Sequence, residues 1–146
     1  EPARRWRLGY NVWSMNKGPL ATVREVMTPH PVTTTPSTLV GEATRVMEEV
    51  GCRHLPVLEE GRLVGILAKR GVSCICSSAR QVGEVMTRDP QTATPDEGLE
   101  VAAATMALSK VDCLLVMEDG QLVGILTTYD VLDLVCRRFR VDPSLG

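Results

Sequence analysis

An internal duplication constrains this chain more than any other feature. With Val23–Val72 written above Val82–Val131, the offset is a constant 59 residues and no gap is needed. Of the 50 aligned positions 21 are identical, where ordinary composition would give about 3. Matched pairs include Val23/Val82, Glu25/Glu84, Met27/Met86, Pro36/Pro95, Met47/Met106 and Gly61/Gly120. The run Leu63-Val64-Gly65-Ile66-Leu67 returns whole as Leu122-Val123-Gly124-Ile125-Leu126. A unit of about 50 residues buries too small a fraction of its surface to stand alone. Two units packed sheet to sheet remove that problem, so the expected architecture is one globule with pseudo-twofold symmetry.

Both copies read alike. Val32-Thr33-Thr34 and Gln91-Thr92-Ala93 are short β-prone stretches ended by Pro36 and Pro95. Ser37, Thr38 or Asp96 then offers an oxygen to cap a helix. Leu39, Ala43, Val46, Met47 and Val50 keep helical spacing, as do Leu99, Ala102, Ala103 and Met106. An apolar strand follows at Leu55–Leu58 or Leu114–Met117. A tight hairpin through Gly61 or Gly120 leads to a second strand at Leu63–Leu67 or Leu122–Leu126. The last helix is expected at Val72–Cys76 and at Val131–Arg140. The fold class is therefore α/β of the α+β type, with tandem β-α-β-β-α units. Residues 20–78 and 79–140 hold the copies, 1–19 are an N-terminal arm packed on the module or a partner-binding tail, and 141–146 a C-terminal tail.

Composition narrows the function. The chain has 146 residues, 44% hydrophobic and 23% charged, so it is not a disordered polymer. No apolar run approaches the ~18–20 residues that cross a bilayer. A formal net charge of −2 argues against general attraction to nucleic acid or anionic lipid. Basic residues gather at the ends, Arg4-Arg5-Trp6-Arg7 and Arg137-Arg138-Phe139-Arg140, and nucleic-acid binding would have to use them. Five cysteines without framework spacing read as reduced thiols, and no leader pattern is visible, so a cytoplasmic location is expected. Cys52 and His54 lie two apart, as do Cys74 and Cys76, but no Cys-x-x-Cys pair occurs. That spacing gives a metal or thiol sensor little support, and no metal ligands are expected. No Gly-x-Ser-x-Gly, P-loop or metalloprotease pattern appears, so catalysis is not expected.

The ordered series Val-Met-Thr, Pro, Thr-Pro, helix, Leu-Pro-Val, Gly-Arg-Leu-Val-Gly-Ile-Leu resembles the cystathionine β-synthase (CBS) domain. Two in tandem resemble the CBS pair, or Bateman module, over about Leu20 to Val135. The resemblance implies a non-catalytic regulatory module that requires no cofactor. It implies an adenosine-containing ligand (AMP, ADP, ATP or S-adenosylmethionine) in a cleft between the units, a regulated partner and a homodimer formed through the helices. Ala102-Ala103-Ala104 beside Met106, with Met47 in the first copy, would allow that close helix approach.

Family members grip the ribose with Gly-h-h-Thr-x-x-Asp, which here is Gly124-Ile125-Leu126-Thr127-Thr128-Tyr129-Asp130. By that resemblance Asp130 accepts the two ribose hydroxyls and Thr127 donates to ribose or phosphate. Thr-x-x-Asp is equally a helix cap, and the two roles are compatible. The first copy reads Gly65-Ile66-Leu67-Ala68-Lys69-Arg70-Gly71, without threonine or carboxylate, so one competent and one degenerate cleft are expected. The first unit should complete the competent cleft through His30, Pro31 and Val32 and through Cys52, Arg53, His54 and Pro56. Val32, Cys52, Pro56 and Leu126 are the expected apolar walls. Tyr129 either stacks on the base or is a surface aromatic. Arg53 either meets a phosphate or is an exposed charge. His30 and His54 offer hydrogen bonds.

Overall fold

The computed structural model describes residues 21–72 and 78–139. The arm 1–19, the tail, Arg140 and most of the helix expected at Val72–Cys76 lie outside them. In chain order the elements are α1 (Val23–Val26), β1 (Thr28–Pro29), α2 (Val40–Val50), β2 (His54–Glu59), β3 (Arg62–Ala68) and α3 (Lys69–Val72). The second copy supplies α4 (Val82–Val85), β4 (Thr87–Arg88), β5 (Thr92–Ala93), α5 (Leu99–Ser109), β6 (Cys113–Glu118), β7 (Gln121–Thr127) and α6 (Thr128–Phe139).

The strands form two sheets, ordered β1-β7-β6-β5 and β2-β3-β4. Each sheet is built on one copy's hairpin and borrows a strand from the other. β1 lies against β7 with Thr28 opposite Ile125 and Pro29 opposite Gly124. β4 lies against β3 with Thr87 opposite Ile66 and Arg88 opposite Gly65. These registers are the same under the 59-residue offset, so the exchange is reciprocal. In the second copy β5 pairs with β6 in parallel, joined by the α5 crossover. In the first copy only Thr34 makes the matching bridge, to Val57, so the stretch expected at Val32-Thr33-Thr34 is a single contact.

The same exchange completes the cores. Val23, at the start of α1, is fully buried among Leu99, Ala102, Met106, Leu114, Val116 and Leu126 of the second copy. Val82 is fully buried among Ala43, Met47, Leu55, Val57 and Leu67 of the first. A third layer, Ile66, Cys113, Leu115 and Ile125 flanked by Leu63 and Leu122, joins the two sheets. β3 and β7 are thus covered on both faces. Leu67 and Leu126 serve the separate cores while Ile66 and Ile125 serve the joint, which is why these strands read as unbroken apolar runs.

Expected side-chain caps give way to the borrowed backbone. The N-caps of α2 and α5 are Leu39 and Gly98, and neither has a side-chain cap bond. Ser37, Thr38 and Asp96 stand one to two residues too early. The first N–H groups are met from the other copy: Val40 N donates to the Arg80 carbonyl at 2.8 Å and Leu99 N to that of Ala21 at 2.9 Å. In return Val82 N donates to Thr38 O at 2.8 Å, and Val23 N to Glu97 O at 2.9 Å. The hairpins turn through Glu60-Gly61 and Asp119-Gly120, all four at positive φ, the twist that two-residue β-hairpins need.

Gly65 sits where the borrowed strand passes. A Cβ there would lie 2.6 Å from Met86 Sδ and 2.8 Å from the Thr87 carbonyl oxygen. Gly65→Ala should therefore destabilise the protein by about 1–3 kcal/mol through overpacking. That exceeds the ~0.4–1 kcal/mol gained by restricting the unfolded chain. Gly71→Ala, in α3 with nothing within 4 Å, should be neutral or stabilising. Urea denaturation of both variants decides the point. Equal midpoints would show that the strand exchange tolerates a methyl group.

Candidate functional site

β7 ends at Thr127, paired with Cys113, and α6 begins at once: Thr128 N donates to the Asp112 carbonyl at 2.9 Å. One turn into α6, Asp130 folds back. Its Oδ2 accepts from Thr127 N at 2.8 Å and from Thr127 Oγ1 at 3.0 Å, while Asp130 N approaches Thr127 Oγ1 at 3.4 Å. This is a reciprocal cap, and the positive end of the helix favours the carboxylate. Both accepted bonds fall on Oδ2. In the first copy α3 starts at the matching place, but Gly71 stands where Asp130 stands, with open space beside it.

The first unit reaches this end of the second through His54. Its side chain is 11% exposed, and its Nε2 lies 3.2 Å from Oδ1 of Asp112. The Cys113 sulfur is beside them: the three donor atoms lie within 4.8 Å of one another. Burial, and secondly the Asp112 charge, push the Cys113 thiol up to about 12, so it holds its proton at neutral pH. Sequence reasoning missed Asp112 and Cys113. The signal was the offset itself, which aligns them with Arg53 and His54.

The remaining expected site residues are scattered. His30 is exposed at φ 48° and its N–H donates to the Val123 carbonyl at 3.2 Å. That is four residues back along β7 from Thr127, or roughly 13 Å. Pro31 is half-buried and Val32 exposed, in a strap that crosses from β7 to the Thr34–Val57 bridge on the first unit. Cys52 packs at the edge of the first core, and Arg53 is exposed while its carbonyl accepts from Lys69 N. Pro56 and Leu126 correct the expectation of apolar cleft walls. Both side chains are fully buried, Leu126 within the second core, because their pleat positions face inward. Tyr129 is 80% exposed on α6.

Cavities among the described residues lie elsewhere. One of about 540 Å³ is bounded by Pro36, Leu58, Glu59, Gly83, Glu84 and Arg88 and includes none of the expected ligand residues. Its counterpart in the second unit is spanned by Arg24, which meets Glu118 at 2.7 Å and Asp96 at 3.6 Å. The offset places Gly83 opposite Arg24, so the first unit lacks the side chain that would fill the space. Another, about 290 Å³ and apolar, lies between α5 and α6 around Ala103, Met106, Ala107 and Leu132. Here the expected dimer face needs correction: Ala102, Met106 and Met47 are buried in the cores. Apolar residues that do face outward are Val101, Leu108, Leu132, Val135 and Phe139. At the basic C-terminal end, Arg137 is held by Asp133 at 2.7 Å. No helix among the described residues is long and apolar enough to cross a membrane.

Known proteins agree with this architecture. The model of the CBS domain family matches residues 23–72 and again 82–137. An inosine-5'-monophosphate dehydrogenase from Methanocaldococcus jannaschii is 37% identical over 110 residues, which are 74% of this chain but 22% of that enzyme. The chain thus spans about a fifth of the length of that relative. The CBS domain-containing protein YhcV of Bacillus subtilis is 27% identical over 117 residues, covering 77% of this chain and 84% of that one. Among solved structures, the CBS domain pair of protein MJ0100, in complex with 5'-methylthioadenosine and S-adenosyl-L-methionine, superposes with a TM-score of 0.77 at 27% identity. That superposition covers 82% of this chain and 99% of the other. CBSX2 in complex with AMP gives 0.72 at 28% identity, covering 82% and 98%. With both copies matched and the two-sheet α+β fold shared, this chain belongs to the CBS domain family, as a tandem pair.

Proposed function

We propose that the chain is a regulatory module binding one adenosine-containing ligand at the second unit's strand end, where Thr127 and Asp130 hold the ribose. The observation that carries this reading is the state of the Asp130 carboxylate. Thr127 fixes it through Oδ2, and Oδ1 takes neither of those bonds, which supports its use as the acceptor for a cis-diol. Two similar pairs, one with S-adenosyl-L-methionine and 5'-methylthioadenosine and one with AMP, support the ligand class. The first unit contributes the strap His30-Pro31-Val32 and the β2 start, Cys52-Arg53-His54, with Arg53 offered to phosphate. Gly71 leaves the first copy's own strand end without the acid. A ligand that touches both units shifts the population toward the arrangement that closes on it, by no more than its differential affinity for that state. The module then acts on a partner protein or domain.

Calorimetry with AMP, ATP and S-adenosylmethionine should find one site per chain. Asp130→Ala should weaken binding by about 2–4 kcal/mol, the worth of two charge-assisted bonds. It should lower folding stability by only about 1 kcal/mol through the lost cap. Parent-like affinity in a folded Asp130→Ala protein would remove the ribose assignment.

The second part of the reading is a homodimer through α5 and α6, supported by the outward Leu108, which is 84% exposed, and by Leu132 beside the apolar cavity. Light scattering at tens of micromolar should give twice the chain mass, and Leu108→Asp with Leu132→Asp should give the monomer. A monomeric parent protein would refute it.

A further inference from the structure

We propose that His54, Asp112 and Cys113 form a site for a single divalent transition-metal ion, zinc by its donor set, that pins the two units together. The proposal does not depend on the adenosyl reading. Three kinds of donor meet here, an imidazole nitrogen, a carboxylate oxygen and a thiol sulfur, all within 4.8 Å of one another. Zinc takes such ligands at about 2.0–2.3 Å, which puts tetrahedral donors roughly 3.3–3.8 Å apart. His54 Nε2 and Asp112 Oδ1 are already at 3.2 Å, so small side-chain rotations close the set. Nitrogen and sulfur donors select zinc over magnesium or calcium, which prefer all-oxygen shells. On binding, the thiol proton passes to water and the thiolate becomes the ligand. Three protein ligands leave a fourth position for water or a ligand atom.

The location follows from the duplication. His54 and Cys113 hold the same place in the two copies, as do Arg53 and Asp112. Copies related by a pseudo-twofold bring such equivalent strand starts together near the axis. Divergence at these two positions then gave a donor set that neither unit possesses alone: His54 comes from the first, Asp112 and Cys113 from the second. Metal affinity here therefore requires the two units to be docked. Cys113 also pairs with Thr127 in the β6–β7 ladder, so an ion on its sulfur would hold the strand end from which Asp130 projects.

Titration of the full chain, stripped of metal with a chelator, with Co2+ tests the site. One equivalent should bind, with thiolate-to-cobalt charge-transfer absorption in the near ultraviolet and the visible bands of tetrahedral cobalt. Cys113→Ser should abolish the charge-transfer absorption. His54→Gln and Asp112→Asn should each weaken Zn2+ at least about tenfold in competition with a chromophoric chelator. Cys74→Ser with Cys76→Ser should leave both signals intact. Absence of stoichiometric binding overturns the proposal. So does absorption that survives Cys113→Ser, absorption lost with Cys74 and Cys76, or zinc affinity unchanged in His54→Gln. Should Cys113→Ser fail to fold, the two single-ligand variants His54→Gln and Asp112→Asn decide the matter.

Discussion

The structure depends on a trade of short segments between its halves. Val23 fills a hole in the second core and Val82 the same hole in the first. Just before them in sequence, the Ala21 and Arg80 carbonyls cap the helices beside which these valines land. Hydrophobic burial and helix capping are thus met by one piece of chain, and it always comes from the other copy. Apolar burial supplies most of the driving force, while the hydrogen bonds fix where the segment sits. Such an arrangement makes the pair the smallest unit with complete cores.

Onto this symmetric frame the chain has written asymmetry at a handful of positions. Thr127 and Asp130 face Ala68 and Gly71 across the duplication, Arg24 faces Gly83, and Asp112 and Cys113 face Arg53 and His54. Each substitution alters chemistry and leaves the frame alone, because the positions lie at strand ends and helix starts; of them Cys113, at the start of β6, also belongs to the layer that joins the sheets. Asp130 shows how the proposed ribose site would rest on a structural part. A cap needs one carboxylate oxygen, so a second remains for other work without loss to the helix.

Much of this was legible in the sequence. The offset gave both hairpins, the positive-φ turns and the long helices, since those rest on local periodicity and turn chemistry. The strand limits lay within a residue of Leu55–Leu58 and its fellows. What escaped was non-local. The two-residue strands at Thr28–Pro29 and Thr87–Arg88 have no pattern of their own and exist only because a partner edge is near. Caps at Leu39 and Gly98 could not be read because their acceptors lie on the other copy. At the site, the Thr127–Asp130 pair was visible as a motif three residues apart. The meeting of His54 with Asp112 and Cys113 was not, because it spans 58 residues and exists only after the units dock. Pro56 and Leu126 were misjudged because alternation along a strand does not say which face meets solvent when both are covered.

The traded segments bear on dissection. A polypeptide holding a single copy would find its missing strand and valine only in a neighbouring molecule, so a one-repeat form would complete its core only as an intertwined assembly. Severing the connection between the copies would create that condition. Neither fragment would be self-sufficient, but each would carry the piece the other lacks, and the two would be expected to reunite on mixing.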